Sequence, residues 1–330
     1  MSALRQVRVL LPLLATLAVA VAPLAVSDRF LLRVLTFAGI NALVVVGLAL
    51  LFGHAGQVSL GHAAFVGLGA YTYAVCTARL GLPWPLAFAA AGLVAAGGGV
   101  VLALPSLRLR GHYLAMATLG FGELMSLAFT EAEPVTGGVD GFGGIPFPTL
   151  GAVVADDPAS LYWLVWLAVG LALLAARNLT ALQPGRAMRA LHGSEPGALA
   201  SGVDVVGVKV RTFVLSALLA GLAGALYASV VGFVSPSLFT LAASVTLLAM
   251  AVLGGTGSLA GPLLAAVLLT LVQYLDALVP GLPREAARTL QSYQEDVYGL
   301  VIVLVVIFAP RGLAGLWQRR GPAPGPEARP

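Results

Sequence analysis

Apolar runs separated by short polar connections fill almost the whole chain. A transmembrane helix needs about 20 mostly apolar residues to cross about 30 Å of hydrocarbon. About ten runs approach that length, at 9–26, 34–52, 58–78, 84–104, 112–129, 161–176, 212–232, 241–256, 258–279 and 297–309. The pattern predicts an all-α fold, a polytopic transmembrane helical bundle of about 8–10 spans. Residues 1–316 are expected to form this transmembrane domain, followed by a disordered, proline-rich tail at 317–330.

The first apolar run has two interpretations. Arg5 and Arg8 precede it, and residues 25–27 (Ala-Val-Ser) resemble a cleavage site, as in a secretory signal peptide. The run is longer than the apolar core of a usual signal peptide. A helix that is retained is therefore favoured.

Two connections between apolar runs are short and rich in small and polar residues, at 53–57 and 254–258. Backbone that leaves a helix at membrane depth is tolerated only where protein or a water-filled cavity satisfies its polar groups. These connections leave the boundaries of the flanking runs open, and re-entrant or broken helices are one interpretation of them.

Composition supports a membrane protein, and the charges predict its orientation. Hydrophobic residues make up 59% of the chain, charged residues 10%, and mean hydropathy is +0.96, so too few polar residues exist to coat a soluble protein. The net charge of +4 is spread between the apolar runs, which favours a lipid bilayer over nucleic acid as partner. The basic loop 177–211 and the outer loop 130–160, which has acids but no Lys or Arg, predict cytoplasmic amino and carboxyl termini.

Polar residues cluster where the third apolar run begins: His54, Gln57, Ser59 and His62. One interpretation is a polar translocation pathway, because polar groups inside lipid need partners or water. The other is close helix packing, since Ser59, Ala63 and Gly67 recur at every fourth residue and form a stripe of small side chains.

A second polar cluster opens the fifth apolar run. Tyr113 and Thr118 are further pathway candidates, and Glu123 lies well inside the run, where a carboxylate is costly and often marks function. Glu123 is expected to be either a proton site or a structural acid near Ser126. Two basic residues before the cluster mark the membrane interface: Arg108 and Arg110.

The outer loop carries a glycine-rich stretch with four candidate residues: Thr136, Gly137, Gly138 and Asp140. Its glycines are too irregular for a dinucleotide-binding fingerprint, and no strand–helix unit surrounds them. The stretch is interpreted either as an outer gate or docking loop, or as a plain glycine-rich connection.

The basic loop 177–211 leads directly into an apolar segment with a small residue at every fourth position: Ala217, Gly221, Ala225 and Ser229. Such a stripe predicts close contact with another helix. The contact is either static packing or part of a moving element connected to the loop.

No catalytic or metal-binding set emerges from the sequence. The four histidines lack the H-E-x-x-H spacing, no G-x-S-x-G elbow occurs, and the single cysteine, Cys76, has no partner. The only lysine, Lys209, is not part of a Walker motif. The chain is therefore expected to be no enzyme and to bind no cofactor of its own, with any ATP held by partner subunits.

Four motifs follow one another along the chain: 53–65 (Gly-His-Ala-Gly-Gln-Val-Ser-Leu-Gly-His-Ala-Ala-Phe), 113–123 (Tyr-Leu-Ala-Met-Ala-Thr-Leu-Gly-Phe-Gly-Glu), 136–141 (Thr-Gly-Gly-Val-Asp-Gly) and 254–262 (Gly-Gly-Thr-Gly-Ser-Leu-Ala-Gly-Pro). Together they resemble the LivM-type permease subunit of branched-chain amino acid ABC transporters, along nearly the whole chain. The loop at 136–141 is more similar to LivM than to its paralogue LivH.

The resemblance implies a multi-pass protein of the bacterial plasma (inner) membrane that works by alternating access. Its expected partners are a LivH-like second permease subunit, two cytoplasmic ABC ATPase subunits, and a periplasmic or extracellular amino-acid-binding protein. Two alternatives remain: an importer of urea, short amides or other small acids with the same architecture, and a proton-coupled secondary transporter that uses Glu123.

The loop 177–211 resembles the family's cytoplasmic loop, which is expected to dock on the ATPase. The coupling residues that this implies are Arg186, Arg189, Glu195, Ala198, Gly202 and Lys209. Pro196 and Gly197 interrupt the family's alanine-rich helix here. Because proline fits the first turn of a helix but not its interior, a short helix that starts near Glu195 or Pro196 is expected.

Overall fold

The structure, a computed structural model, describes residues 28–106, 109, 111–150, 153–154, 157–274 and 300. Helices account for most of this part: α1 (Arg29–Leu48), α2 (His62–Ala74), α3 (Trp84–Ser106), α4 (His112–Glu131), α5 (Glu133–Thr136), α6 (Pro158–Ala181), α7 (Gln183–Gly193), α8 (Glu195–Ala200), α9 (Val205–Val231), α10 (Leu241–Gly254) and α11 (Ala260–Gln273). π-helical turns continue α1 through Ala49–His54 and α2 through Val75–Arg79, and 3₁₀ turns occupy Gly138–Asp140 and Pro236–Leu238.

Two short antiparallel pairs lie in the connections. Strand β1 (Phe142–Gly143) pairs with β4 (Phe233–Val234) in the register Phe142↔Val234, and β2 (Thr149–Leu150) pairs with β3 (Val153–Val154). The first pair joins the segment after α5 to the segment after α9.

Six stretches of the described part are long and apolar enough to cross a membrane: Arg29–His54, Trp84–Leu104, His112–Glu131, Pro158–Ala181, Val205–Val231 and Pro236–Gly254. Each overlaps one predicted run, with ends that differ by at most seven residues, which confirms the all-α polytopic bundle. The chain is a multi-pass membrane protein. The runs 9–26 and 297–309, the tail 317–330, Arg108 and Arg110 lie outside the described residues, and the side on which each terminus lies stays a prediction.

Side-chain caps explain where several helices begin. Asp28, Asp157, Asp204 and Thr240 each accept a hydrogen bond from a backbone N–H two or three residues later, which satisfies one of the free donors of a helix amino terminus. Gly232, in the left-handed conformation at φ 72°, ends α9.

The third predicted span is not one continuous helix. After the turn that ends α1, residues 55–61 are not helical, so Ser59 precedes α2 rather than lying on it with Ala63 and Gly67. Gly56 lies against His192 of α7, whereas the backbone nitrogen of Ala63 donates to the Ser244 hydroxyl of α10 at 3.0 Å. The chain is therefore not helical between α1 and α2, and the structure agrees with the interpretation of a re-entrant or broken helix near residues 53–57.

The second short connection lies beside the first. Gly254 ends α10, Gly255 and Gly257 adopt positive φ angles of 91° and 78°, and α11 begins at Ala260. A Cβ atom on Gly53 would lie 3.8 Å from the backbone of Gly257. The two breaks are therefore neighbours in the bundle. Because of these breaks, the run before each connection does not continue into the run after it as one helix.

Helix α9 packs against α2 and α3 at very short range. A Cβ atom on Gly224 would lie 1.9 Å from the carbonyl oxygen of Val66, and one on Gly221 would lie 2.3 Å from the Cβ of Ala95. The small residues of the predicted stripe are all buried: Ala217, Gly221, Ala225 and Ser229. The expected close helix contact is confirmed.

We expect Gly224→Ala to destabilise the protein strongly, because the new methyl group meets backbone rather than a flexible side chain. The matched control is Gly97→Ala on α3, where nothing lies within 4 Å of a new Cβ. Thermal unfolding of purified protein should show a loss of several degrees for Gly224→Ala, on the order of 1–3 kcal/mol. Equal melting temperatures in both variants would contradict this packing.

Candidate functional site

His62, the histidine of the third apolar run, lies in a buried polar cluster between α2 and α9. His62 is fully buried, its Nε2 lies 3.2 Å from the hydroxyl of Ser216, and its Nδ1 lies 3.4 Å from the hydroxyl of Ser59. His54 makes a separate contact, from Nδ1 to the carbonyl oxygen of Ala49 at 2.9 Å. These polar groups therefore find partners inside the subunit.

Hydroxyl groups on neighbouring helices satisfy the backbone of the broken segment. The nitrogen of Leu60 donates to the Thr118 hydroxyl at 2.9 Å, and the Ser244 hydroxyl accepts from Ala63. Gly61 lies directly on α4, where a Cβ atom would be 2.0 Å from the carbonyl oxygen of Thr118. Unpaired backbone groups are costly at membrane depth, so these contacts stabilise the break.

The six predicted pathway residues fall into two groups. Gln57, Ser59, His62 and Thr118 are buried within the subunit, whereas Tyr113 and Glu123 lie on an exposed face of α4. The Nε2 atom of Gln57 is buried with no hydrogen-bond partner within the described residues. The structure thus brings His62 and Ser59 together and holds Thr118 against the same segment, while Glu123 is separate from them.

The exposed face of α4 combines a carboxylate, open space and large apolar side chains. Tyr113 is 71% exposed and Met116 67% exposed, Glu123 is exposed, and nothing lies within 4 Å of a Cβ built on Gly120. No described residue gives the Glu123 carboxylate an ion pair or hydrogen bond. A charged group facing lipid is costly, so this face is expected to meet protein or water in the assembled molecule.

The outer face of α6 is different in character. Its exposed side chains are apolar: Trp163, Leu167, Leu171 and Leu174. They recur at helical spacing, and Gly170 lies on the same side with nothing within 4 Å of its Cβ position. This uniform apolar surface is what a lipid-facing helix requires.

Thr136 fastens the glycine-rich outer loop. Its hydroxyl lies 2.7 Å from the carbonyl oxygen of Phe129 and 2.9 Å from that of Ala132, and it accepts from the nitrogen of Gly138 at 3.1 Å. Gly137 needs φ 78°, and a Cβ there would lie 2.1 Å from the carbonyl oxygen of Gly141. The loop is therefore a closely packed turn.

Arg79 also holds this loop, although it comes from the end of α2. Its guanidinium donates to the carbonyl oxygen of Pro134 and lies 4.8 Å from the centre of the Phe142 ring. The tip of the loop remains accessible, since Val139 is 77% exposed and Asp140 is exposed. The tip is therefore the part of the loop that another protein can reach.

We expect Thr136→Val to loosen this loop while the helices stay folded, because it removes a buried hydroxyl that donates to the carbonyl oxygens of Phe129 and Ala132 through one shared hydrogen and accepts from the nitrogen of Gly138. Amide hydrogen exchange in residues 132–145 should rise at least about fivefold, from a loss of about 1–3 kcal/mol. The matched control is Thr130→Val, where only an intrahelical bond to Ser126 is lost. Unchanged exchange in Thr136→Val would show that the hydroxyl does not fasten the loop.

The segment 177–211 folds into two short helices with a small core of their own. Ser194 caps α8 by accepting from the nitrogen of Gly197, so this helix starts at Glu195, as expected. A second hydrophobic cluster, separate from the main core, joins α7, α8, the start of α9 and the break after α1: Ala55, Met188, Leu191, Ala198 and Val205. The segment is thus attached to the broken helix.

An ion pair ties α8 to α9. The Nζ atom of Lys209 lies 2.9 Å from Oε1 of Glu195, and the two side chains are only 10% and 18% exposed. Arg189 donates to the carbonyl oxygen of Thr180 at 3.0 Å. These three predicted coupling residues therefore have contacts within the subunit, and their first structural effect is to hold this segment in place.

The remaining predicted coupling residues differ in exposure. Ala198 is buried in the small cluster, Arg186 is exposed, and Gly202 is exposed with φ 75°, a conformation that favours glycine. Sequence reasoning missed Ser216, Ser244 and Arg79. The first two are hydroxyls inside apolar helices, and that is the one signal that marks them in the sequence.

The candidate surfaces lie at opposite ends of α9. The segment 177–204 precedes this helix, and the Phe233–Val234 strand that pairs with the outer loop follows it. Because α9 has 27 residues, the two ends are about 40 Å apart, enough to cross a bilayer.

Comparison with known proteins identifies the family of the chain. Residues 30–309 match the family described as "Branched-chain amino acid transport system / permease component". The chain belongs to this family. No solved structure matches the permease-family chain.

Relatives of this permease-family chain include two proteins named "High-affinity branched-chain amino acid transport system permease protein LivM". The Salmonella typhimurium protein is 36% identical, with 91% of this chain and 74% of the relative covered. The Escherichia coli protein is 35% identical, with 96% and 78% covered. The ribose import permease protein RbsC of Bacillus subtilis is 28% identical over 58% of this chain and 57% of that protein.

Proposed function

We propose that this chain is the membrane-spanning permease subunit of an ATP-driven importer for branched-chain amino acids in the bacterial inner membrane. The observation that carries the proposal is the match of residues 30–309 to the permease family, together with 35–36% identity to LivM proteins over most of the chain. The chain moves substrate by alternating access, and ATP is bound by separate subunits.

The proposed partners are assigned to different surfaces. Two ATPase subunits drive the assembly, and one of them contacts α7 and α8, which are attached both to α9 and to the broken helix. A LivH-like permease subunit covers the exposed face of α4, where Glu123 and Gly120 face the pathway between subunits. A binding protein that delivers the amino acid contacts the tip of the outer loop at Val139 and Asp140.

A ligand drives a conformational switch only through different affinities for the two states. In the proposed mechanism, ATP closes the ATPase subunits, and the displacement reaches α9 through the Lys209–Glu195 pair and reaches residues 55–61 through the small cluster around Ala55. The break is held by hydroxyl groups of α4 and α10. Exchange of these hydrogen bonds provides a route for repositioning α2.

Reconstitution tests the proposal. The chain, a LivH-like subunit, the ATPase subunits and the binding protein are placed in proteoliposomes, and uptake of radiolabelled leucine is measured. Uptake that requires ATP and the binding protein and that resists a protonophore is expected. Uptake that continues without ATPase subunits but stops with the protonophore would instead support proton coupling through Glu123.

A further inference from the structure

An amphipathic groove lies between α7, the turn at 201–204 and the first turns of α9. Its volume is about 770 Å³. Along α9 its lining residues are Val208, Arg211, Thr212 and Leu215, and Leu179 at the end of α6 forms an apolar wall beside Leu215. Arg186 of α7 lines the same groove. The groove therefore has a basic part and an apolar part.

The basic part carries two guanidinium groups that are free to bind a ligand. Arg186 and Arg211 are exposed, and neither side chain has an ion pair or hydrogen bond within the described residues. Asp204 also lines the groove, but its carboxylate accepts from the nitrogen of Gly207 at 2.9 Å and caps α9. A guanidinium presents a planar fork of donors that matches a phosphate group.

The position of the groove relative to the membrane distinguishes between possible occupants. Helix α9 spans about 40 Å, about 10 Å more than a hydrocarbon core, and Arg211 lies about 9 Å along it from Val205. If the extra length projects at the Val205 end, Arg211 lies at the edge of the hydrocarbon and Leu215, one turn further, lies inside it. An acidic segment of a soluble subunit would meet the arginines but would leave the wall at Leu215 and Leu179 uncovered. A molecule with an anionic head and an apolar tail matches both parts.

We propose that this groove binds an anionic phospholipid, with its phosphate between Arg186 and Arg211 and an acyl chain along Leu179 and Leu215. Basic side chains at the membrane surface attract anionic headgroups, and pockets of this kind between helices bind them specifically. The lipid would join α7 to α9 from the membrane side. This site is independent of the transported cargo.

Native mass spectrometry of the purified full chain tests the proposal, with dioleoylphosphatidylglycerol and dioleoylphosphatidylcholine as probes. The wild-type chain should bind phosphatidylglycerol in preference to phosphatidylcholine. The double variant Arg186→Gln/Arg211→Gln should bind phosphatidylglycerol about 30-fold more weakly. The control is Arg177→Gln, which removes one positive charge from α6 outside the lining of the groove and should bind like the wild type.

The variant Arg186→Lys/Arg211→Lys keeps both charges and should retain most of the preference for phosphatidylglycerol. Weak binding by the glutamine variant would then be due to the lost charges and not to misfolding. Equal lipid binding by the wild type and by the glutamine double variant would overturn the proposal. So would a double variant that binds phosphatidylglycerol normally but no longer associates with ATPase subunits, because the groove would then belong to that partner.

Discussion

Lys209→Met is expected to separate ATP hydrolysis from uptake. The substitution removes the hydrogen-bonded ion pair between Lys209 and Glu195 from a largely buried position, at a cost of about 1.5–3 kcal/mol. Helix α8 has only six residues, so it depends on this pair and on the small cluster for its position. In the reconstituted transporter, leucine uptake should fall at least about tenfold, while ATP hydrolysis and membrane insertion persist.

Two further variants test whether the effect depends on the Lys209–Glu195 ion pair. Arg177→Met removes a cation from an exposed position on α6 and should leave coupling unchanged. The charge-exchanged variant Lys209→Glu/Glu195→Lys should recover part of the lost uptake, because an opposite-charge pair is restored. Normal coupling in Lys209→Met, or no recovery in the exchanged variant, would show that the pair does not position α8 for transport.

Gly120→Trp is expected to prevent assembly with the second permease subunit. Nothing lies within 4 Å of a Cβ on Gly120, so the isolated subunit can accommodate the large side chain. In the assembled transporter, however, the indole would occupy the space that the partner needs at the α4 face. Co-purification of the two permease subunits should fall at least about fivefold, because overpacking of an interface costs about 1–3 kcal/mol or more.

The control for this variant is Gly170→Trp. Gly170 is equally open, but it lies on the apolar α6 face with Leu167 and Leu171, where the bilayer can yield to an indole. Assembly should therefore be normal. If Gly170→Trp prevents assembly and Gly120→Trp does not, the partner covers α6 and the assignment of the two faces must be reversed.

Local sequence patterns predicted the features of the fold that depend on neighbouring residues. The apolar runs gave the spans, the Pro196 position predicted the start of α8, and the stripe around Gly221 predicted close helix contact. The short polar connection at 53–57 indicated re-entrant or broken helices as one interpretation, and the structure has no helix at residues 55–61.

Contacts between distant residues could not be predicted in this way. The sequence does not show that Leu60 meets Thr118, that Ala63 meets Ser244, or that Arg79 reaches the loop at Pro134. Each contact depends on how whole helices pack. For the same reason, the sequence does not distinguish the buried pathway candidates from the exposed one. The buried candidates include Gln57, Ser59 and His62, whereas Glu123 lies on the exposed face of α4.

Photo-crosslinking from both ends of the subunit tests the central claim most directly. A benzophenone amino acid is placed at Leu199 of α8, which is 53% exposed, or at Val139 of the outer loop, which is 77% exposed. In the assembled transporter with its binding protein, position 199 should crosslink to an ATPase subunit and position 139 to the binding protein. Crosslinks to the opposite partners, or none to an ATPase subunit from position 199, would contradict the account.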